Sequence, residues 1–84
     1  MDYVAYLHKD RKGDFGVSFP DFPGCITAVK KLAEVQQAAT KALMLHIPGM
    51  IKGREAMPEP STLGALANDP ARQGAIIFVV HVEV

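Results

Sequence analysis

A corner of seven residues, Phe19-Pro20-Asp21-Phe22-Pro23-Gly24-Cys25, constrains the fold of this chain more than any other segment. Proline fixes φ at about −65° and has no N–H to donate, so neither proline can lie inside a paired strand. Pro23-Gly24 fits the central positions of a type II turn, whose second residue needs a positive φ. One strand must therefore end before this corner, and another must begin after it.

The segments on either side of the corner have the composition of strands. Residues 3–8 are rich in β-formers, and residues 9–13 indicate a hairpin loop in which Gly13 can take a left-handed conformation. Residues 14–19 alternate between apolar and small polar side chains, which is typical of a strand with one buried face. Residues 25–29 then form a third short strand. Together these segments predict a three-stranded antiparallel meander.

After the meander the hydrophobic period becomes helical. Apolar residues recur at spacings of three and four from Leu32 to Ile47, which predicts an amphipathic helix lying on the sheet. No Ser, Thr, Asp or Asn stands immediately before Leu32, so a strong N-terminal cap is missing. Pro48-Gly49 should kink or stop the helix, although Met50 and Ile51 could prolong it by a turn.

A long loop and a last strand complete the chain. Prolines and glycines predict a loop over residues 52–74, in which Ser61 could cap a short helix over residues 62–67. Residues 74–84 are apolar on both faces, which is typical of parallel pairing under a helical cover. A right-handed crossover then gives the strand order 3-2-1-4. We expect one α+β domain over residues 1–84, with a four-stranded mixed sheet, one main helix on one face and the order β-β-β-α-β.

This topology leaves the last strand as an apolar edge of the sheet. Exposed apolar edges promote association between copies unless they are covered. The sequence therefore predicts a homo-oligomer, either a dimer or a tetramer. The candidate residues for the contact between copies are Phe78, Val80, His81 and Val82.

Composition narrows the possible partners and compartments. Nine basic and nine acidic residues give a formal charge of zero, so this domain lacks the basic excess typical of nucleic-acid binding. A single cysteine forms neither an internal disulfide nor a zinc cluster. The N-terminus has no basic segment followed by an apolar stretch, and no apolar run is long enough for a membrane span. We expect a cytoplasmic protein without a membrane anchor.

Several motifs together resemble the HicB antitoxin family. They are the Tyr3-Val4-Ala5 opening, the Pro20-to-Cys25 corner, the alanine-rich helix with Glu34, and Met57-Pro58-Glu59-Pro60-Ser61 before the last strand. The resemblance implies a truncated ribonuclease-H-like fold. It also implies a non-enzymatic antitoxin domain, which binds and neutralises a small basic messenger-RNA-cleaving toxin of the HicA type.

The sequence departs from the family pattern at two places. The helix usually starts with Gly-Asp-Thr/Ser, whereas this chain has Val29-Lys30-Lys31. Many relatives continue after the last strand into a ribbon-helix-helix or helix-turn-helix module, whereas this sequence stops at Val84. We therefore expect no C-terminal DNA-binding module here. An orphan interaction or scaffold protein that has lost its toxin is the alternative function.

Three residues near the end of the second strand are candidates for toxin binding. A toxin that handles RNA is expected to be basic, and Asp14 and Asp21 would offer it acceptors. Asp21 could instead accept backbone hydrogen bonds inside the corner. Phe22 lies between two prolines, so it is either an exposed anchor for the partner or a plug at the end of the sheet.

A residual metal-dependent nuclease is a second alternative, because ribonuclease H chemistry places metal ions on clustered carboxylates. Asp2, Glu34 and Glu83 are the nearest candidates, but their positions make convergence doubtful and favour solvated surface carboxylates. The three histidines lie on separate elements without ligand spacing. Cys25 lacks a neighbouring base and is expected to be a packed thiol. We therefore expect no catalytic residues, no metal and no cofactor.

Overall fold

The structure is a computed structural model and describes residues 1–83. It contains the predicted order β-β-β-α-β, and Val84 of the predicted last strand lies outside the described residues. The elements are β1 (Asp2–Lys9), β2 (Phe15–Ser18), β3 (Ile26–Val29), α1 (Val35–Lys52) and β4 (Ile76–His81). Two single 3-10 turns, Leu32–Glu34 and Pro70–Arg72, precede α1 and β4.

The four strands form one sheet with the predicted order β3-β2-β1-β4. The prediction of a mixed sheet is wrong, because β4 runs antiparallel to β1, with Asp2 opposite His81 and Leu7 opposite Ile76. The other two pairs are also antiparallel. The chain must therefore return along the sheet after α1 before it enters β4, and residues 53–75 make that return.

The apolar residues on both faces of β4 have a different cause from parallel pairing. Phe78 and Val80 pack with the core beneath α1, whereas Ile77 packs on the opposite face against Val4, Tyr6 and Leu66. Leu66 belongs to the return loop and is 8% exposed. Because the loop covers the second face, β4 needs apolar side chains in both directions without any parallel neighbour.

The hairpin between β1 and β2 has the predicted geometry. Gly13 has a φ of +89°, the left-handed region expected from the sequence. The Asp10 carboxylate accepts hydrogen bonds from the backbone N–H of Lys12 at 2.8 Å and of Asp14 at 2.9 Å. These bonds fix the end of the sheet that is here called the hairpin end.

The corner consists of two consecutive turns, each with proline in its second position. The N–H of Phe22 donates to the Phe19 carbonyl at 3.1 Å, and the N–H of Cys25 donates to the Phe22 carbonyl at 3.0 Å. Gly24 has a φ of +86°, as a type II turn requires. The predicted turn is confirmed. It lies at the opposite end of the sheet from the hairpin, here called the corner end.

Helix α1 packs on one face of the sheet through a stripe of buried residues. Val35, Ala39, Leu43 and Ile47 repeat every four positions and are at most 6% exposed. Neither Lys31 nor Glu34 makes a side-chain cap, in agreement with the missing start signal. The helix continues through Pro48 to Lys52. Within residues 1–83 no helix combines the length and the apolar character of a membrane span.

The return loop is tied to the sheet by tyrosine hydroxyls. Tyr3 donates to the Pro58 carbonyl at 2.8 Å, and Tyr6 donates to the Asp69 carboxylate at 2.9 Å. Burial raises the pKa of both phenols, and nearby carboxylates raise it further. Residues 63–68 form turns rather than the predicted short helix over residues 62–67, and the Thr62 hydroxyl accepts from the N–H of Ala65 at 3.1 Å.

Candidate partner-binding surfaces

Phe22 is a core residue. Of its two predicted roles, the structure supports a plug at the end of the sheet and not an exposed anchor for a partner. Its side chain is 1% exposed. The ring contacts Tyr3 edge-on at a centroid distance of 4.7 Å and lies 6.0 Å from the His46 ring. Two prolines hold the backbone so that the ring turns beneath α1. Phe22 thus closes the end of the core, and a partner cannot reach it in this conformation.

Asp21 joins the corner to the return loop. Its carboxylate accepts the Ser61 backbone N–H at 2.8 Å and the Ser61 hydroxyl at 2.5 Å. Its partner is therefore 40 positions away rather than within the corner, where the sequence had placed the hydrogen bonds. Ser61 is a polar residue in a proline-rich loop, so no sequence pattern identifies it as the hydrogen-bond partner of Asp21.

The two predicted toxin-binding aspartates lie at opposite ends of the sheet. Asp14 stands in the hairpin loop before β2 and is partly exposed, whereas Asp21 is in the corner after β2. The structure therefore does not bring them into one patch.

The edge of β4 has no neighbouring strand, and the Gln36 side chain donates to its Val79 carbonyl at 3.0 Å. Val80 and Val82 are only 0% and 3% exposed, because they point beneath α1 into the core of the same chain. Phe78 is half-buried against that core, while Val79 is 51% exposed. The structure confirms the edge, but the exposed side chains of β4 are Ile76, Val79 and His81.

The carboxylates considered for a nuclease separate into two groups. His81 contacts Asp2 through Nδ1 at 2.5 Å and Glu83 through Nε2 at 2.7 Å. Glu34 lies before α1, whereas Glu83 borders the groove beside Pro48, roughly 20 Å further along the helix. Among residues 1–83 no three His, Cys, Asp or Glu side chains form a group that could hold a metal ion.

Cys25 and His46 both pack against the core. Cys25 is 3% exposed, and burial raises its pKa, which disfavours the thiolate. His46 is half-buried at the edge of the core, beside Phe22. Catalysis by Cys25 would need a lowered pKa, and the structure shows the reverse.

An exposed apolar ridge on α1 is the surface that the sequence interpretation missed. Met44, Leu45 and Ile51 are 60%, 71% and 61% exposed, and Pro48 between them is also exposed. These four residues, here called the helix ridge, lie on the outer side of the second half of α1. Apolar residues at helical spacing are expected to face the core. Only the tertiary structure shows that Ile47 is buried whereas the residues of the helix ridge are exposed.

Comparison with known proteins assigns this architecture to a family. The family model described as the HicB-like antitoxin of bacterial toxin–antitoxin systems matches residues 3–84. The chain belongs to this family. A 14.9 kDa protein from the rep-hol intergenic region of Haemophilus phage HP1 is 35% identical over 84 residues. The HicB-like chain covers 62% of that phage protein's length.

A shorter curated relative and several solved structures agree with this assignment. A UPF0150 protein of Archaeoglobus fulgidus is 32% identical over 47 residues, which are 56% of this chain and 68% of that protein. The N-terminal domain of the Burkholderia pseudomallei antitoxin HicB matches with a TM-score of 0.84 and 26% identity, with both chains fully covered. For the longer Burkholderia pseudomallei HicB structure the TM-score is 0.83 at 26% identity, and all of this chain covers 64% of that one.

One of the similar solved structures is a complex of an antitoxin with its toxin. A chain of the structure described as the HicA3 and HicB3 toxin-antitoxin complex matches with a TM-score of 0.81 and 26% identity, and the match covers all of both chains. The HicB-like chain thus has the fold and the family of an antitoxin domain of a toxin–antitoxin system.

Proposed function

We propose that this HicB-like domain binds a small toxin of the HicA type and neutralises it by covering its surface, without catalysis of its own. The observation that carries the proposal is the match over both full lengths with a chain of the HicA3 and HicB3 complex. The family match over residues 3–84 supports the same conclusion. The toxin is expected to be basic, because it must approach the phosphates of messenger RNA.

The domain's own chemistry favours binding over catalysis. Asp2 and Glu83 are held by His81, and Glu34 lies at the far end of the helix from them. A two-metal nuclease needs carboxylates that converge on one pair of ions. The exposed part of the molecule instead offers an apolar helix face, which suits contact with another protein.

The test is co-expression of this chain with the small protein encoded beside it. If the proposal is correct, the neighbouring protein alone stops growth, co-expression restores growth, and the two proteins purify together as one complex. A toxic neighbour that is neither rescued nor bound contradicts the proposal. A harmless neighbour without a complex favours the alternative of an orphan interaction protein.

We also propose that the domain associates with itself along β4. The strand is an edge of the sheet, and its exposed Val79 side chain would meet a neighbouring copy, although the Val79 carbonyl already accepts a hydrogen bond from the Gln36 side chain. Light scattering at tens of micromolar should give the mass of a dimer or tetramer. Val79→Lys, which places a charge on the edge, should shift that mass to the monomer. A wild-type monomer at these concentrations contradicts this proposal.

A further inference from the structure

The neutral net charge of the domain hides a separation of charge between the two ends of the sheet. Five of the nine basic residues lie at or beside the hairpin end: Lys9, Arg11, Lys12, Lys30 and Lys31. The register places them there, because Phe15 of β2 pairs with Lys9 on one side and with Val29 on the other. Three acidic residues accompany them, so this end carries a net positive charge.

The corner end carries the opposite charge. Five of the nine acidic residues lie there, against two basic residues, Lys52 and Arg54. The acidic residues are Asp2, Asp21, Glu55, Glu59 and Glu83. The contacts confirm this placement for two loop residues, because Glu55 donates its N–H to the Met50 carbonyl and Pro58, next to Glu59, accepts from Tyr3.

The dipole of α1 adds to this separation. The helix starts near the hairpin end and finishes with Lys52 at the corner end. The C-terminus of a helix carries partial negative charge. Side chains and backbone therefore both make the corner end attractive to a cation.

The helix ridge borders this acidic end. An open groove of about 320 Å³ separates the ridge from the end of β4, and its lining includes Met44, Pro48, Ile51, Val82 and Glu83. Glu83 is 91% exposed at the rim. An apolar floor with an acidic rim is suited to a basic protein that also presents an apolar side chain.

We propose that the helix ridge and its groove are the docking surface for the basic toxin. The inference rests on the proposed function and adds the surface and the chemistry of recognition. Apolar contacts on Met44, Pro48 and Ile51 supply the centre of the interface. The acidic residues of the corner end steer the basic partner and fix its orientation, as charge complementarity does at other protein interfaces.

The hairpin end supplies a matched negative control. Asp14, which the sequence suggested for toxin binding, hydrogen-bonds to Asp10 and shares this end of the sheet with Lys9, Arg11, Lys12 and Lys30. A basic toxin is repelled by this surplus of positive charge. The inference therefore assigns the toxin to the corner end and away from Asp14.

The experiment uses calorimetry to measure how the toxin encoded beside this chain binds to the full chain at 50 and 300 mM salt. Over this range of ionic strength, salt increasingly screens the attraction between exposed charges. The double variant Met44→Gln with Ile51→Gln should weaken binding at least tenfold. Leu32→Gln and Leu63→Gln, at residues 59% and 54% exposed but outside the ridge and its groove, should change it less than twofold. Circular dichroism checks that all four substitutions leave the fold intact.

Charge reversals test the electrostatic part. Glu55→Lys with Glu59→Lys should weaken binding at least tenfold at low salt and flatten its salt dependence. Glu34→Lys with Asp14→Lys makes the same change of charge at the hairpin end and should leave affinity within about twofold. If the hairpin variant weakens binding and the corner variant does not, the toxin binds at the hairpin end. That result overturns the inference.

The outcomes separate this inference from the proposed function. A wild-type chain that does not bind the toxin contradicts the proposed function. A wild-type chain that binds, with ridge variants that bind equally well, contradicts only the inference. If the ridge double variant instead turns an oligomer into a monomer at unchanged toxin affinity, the ridge holds a second copy, and the inference is likewise wrong.

Discussion

Removing the Phe22 ring should destabilise this domain by about 4 kcal/mol. The side chain is 1% exposed and touches the rings of Tyr3, Phe19 and His46. Phenylalanine-to-alanine changes at buried sites lose about 3 to 5 kcal/mol through lost burial and the cavity that remains. Two prolines restrain the corner, so the backbone cannot easily close that cavity.

The loss is large relative to the whole domain. At about 0.05 to 0.15 kcal/mol per residue, a chain of 84 residues has a free energy of unfolding of about 4 to 13 kcal/mol. A loss of about 4 kcal/mol lowers the melting temperature by about 20 °C in a domain of this size. The Phe22→Ala variant should therefore be marginally folded at 37 °C.

The assay is urea unfolding of Phe22→Ala and the wild type, followed by far-ultraviolet circular dichroism. The control is Leu45→Ala, at a position 71% exposed, which should change the free energy of unfolding by less than about 0.5 kcal/mol. If Phe22→Ala loses less than about 1 kcal/mol while keeping the native spectrum, the ring is not a core plug. In that case the exposed-anchor hypothesis returns.

Three further perturbations test the corner and the termini. Gly24→Ala should lose about 1 kcal/mol in urea unfolding because its φ is +86°, whereas Gly49→Ala, inside the helix with open space around it, should gain about 1 kcal/mol. Asp21→Ala should lose about 1 to 3 kcal/mol by removing the acceptor of Ser61, and adding Ser61→Ala to it should cause little further loss. Glu83 and Asp2 raise the pKa of His81, so its stabilising contribution is full below about pH 6.5 and is lost as pH rises through the higher folded-state pKa. The unfolding midpoint of the wild type should thus fall relative to that of His81→Gln across that pH range, and parallel curves would contradict this assignment.

The local structure around glycine and proline was predictable because it depends on few neighbours. Pro23 and Gly24 determine their turn through the φ values each can adopt, and the structure confirms it. Gly13 in the hairpin follows the same logic. The strand order agrees with the prediction, but the right-handed crossover from which it was derived applies to parallel strands, whereas β4 is antiparallel to β1.

The direction of β4 was not predictable from its composition. Apolar residues on both faces of a strand indicate that both faces are covered, but they do not indicate which element covers each face. Here Leu66 of the return loop covers the second face. A loop rich in proline and glycine has no periodicity, so its packing cannot be inferred from its sequence.

The candidate binding surfaces were also only partly predictable from the sequence. The sequence indicated the residue types of an antitoxin interface, but it placed Asp14 and Asp21 together although they lie at opposite ends of the sheet. It also left the role of Phe22 open. Burial and inter-end distance are properties of the packed chain, so only the structure could separate the buried ring from the exposed helix ridge.

The sequence by itself determined the turns, the helix, the order of the elements and the family resemblance, because these depend on backbone preferences and short-range periodicity. The tertiary structure decided the direction of β4, the burial of Phe22 and the Asp21–Ser61 contact across 40 positions. It also divided a chain of zero net charge into a basic and an acidic end. Such features arise from contacts between distant segments, and a linear pattern does not encode which segments meet.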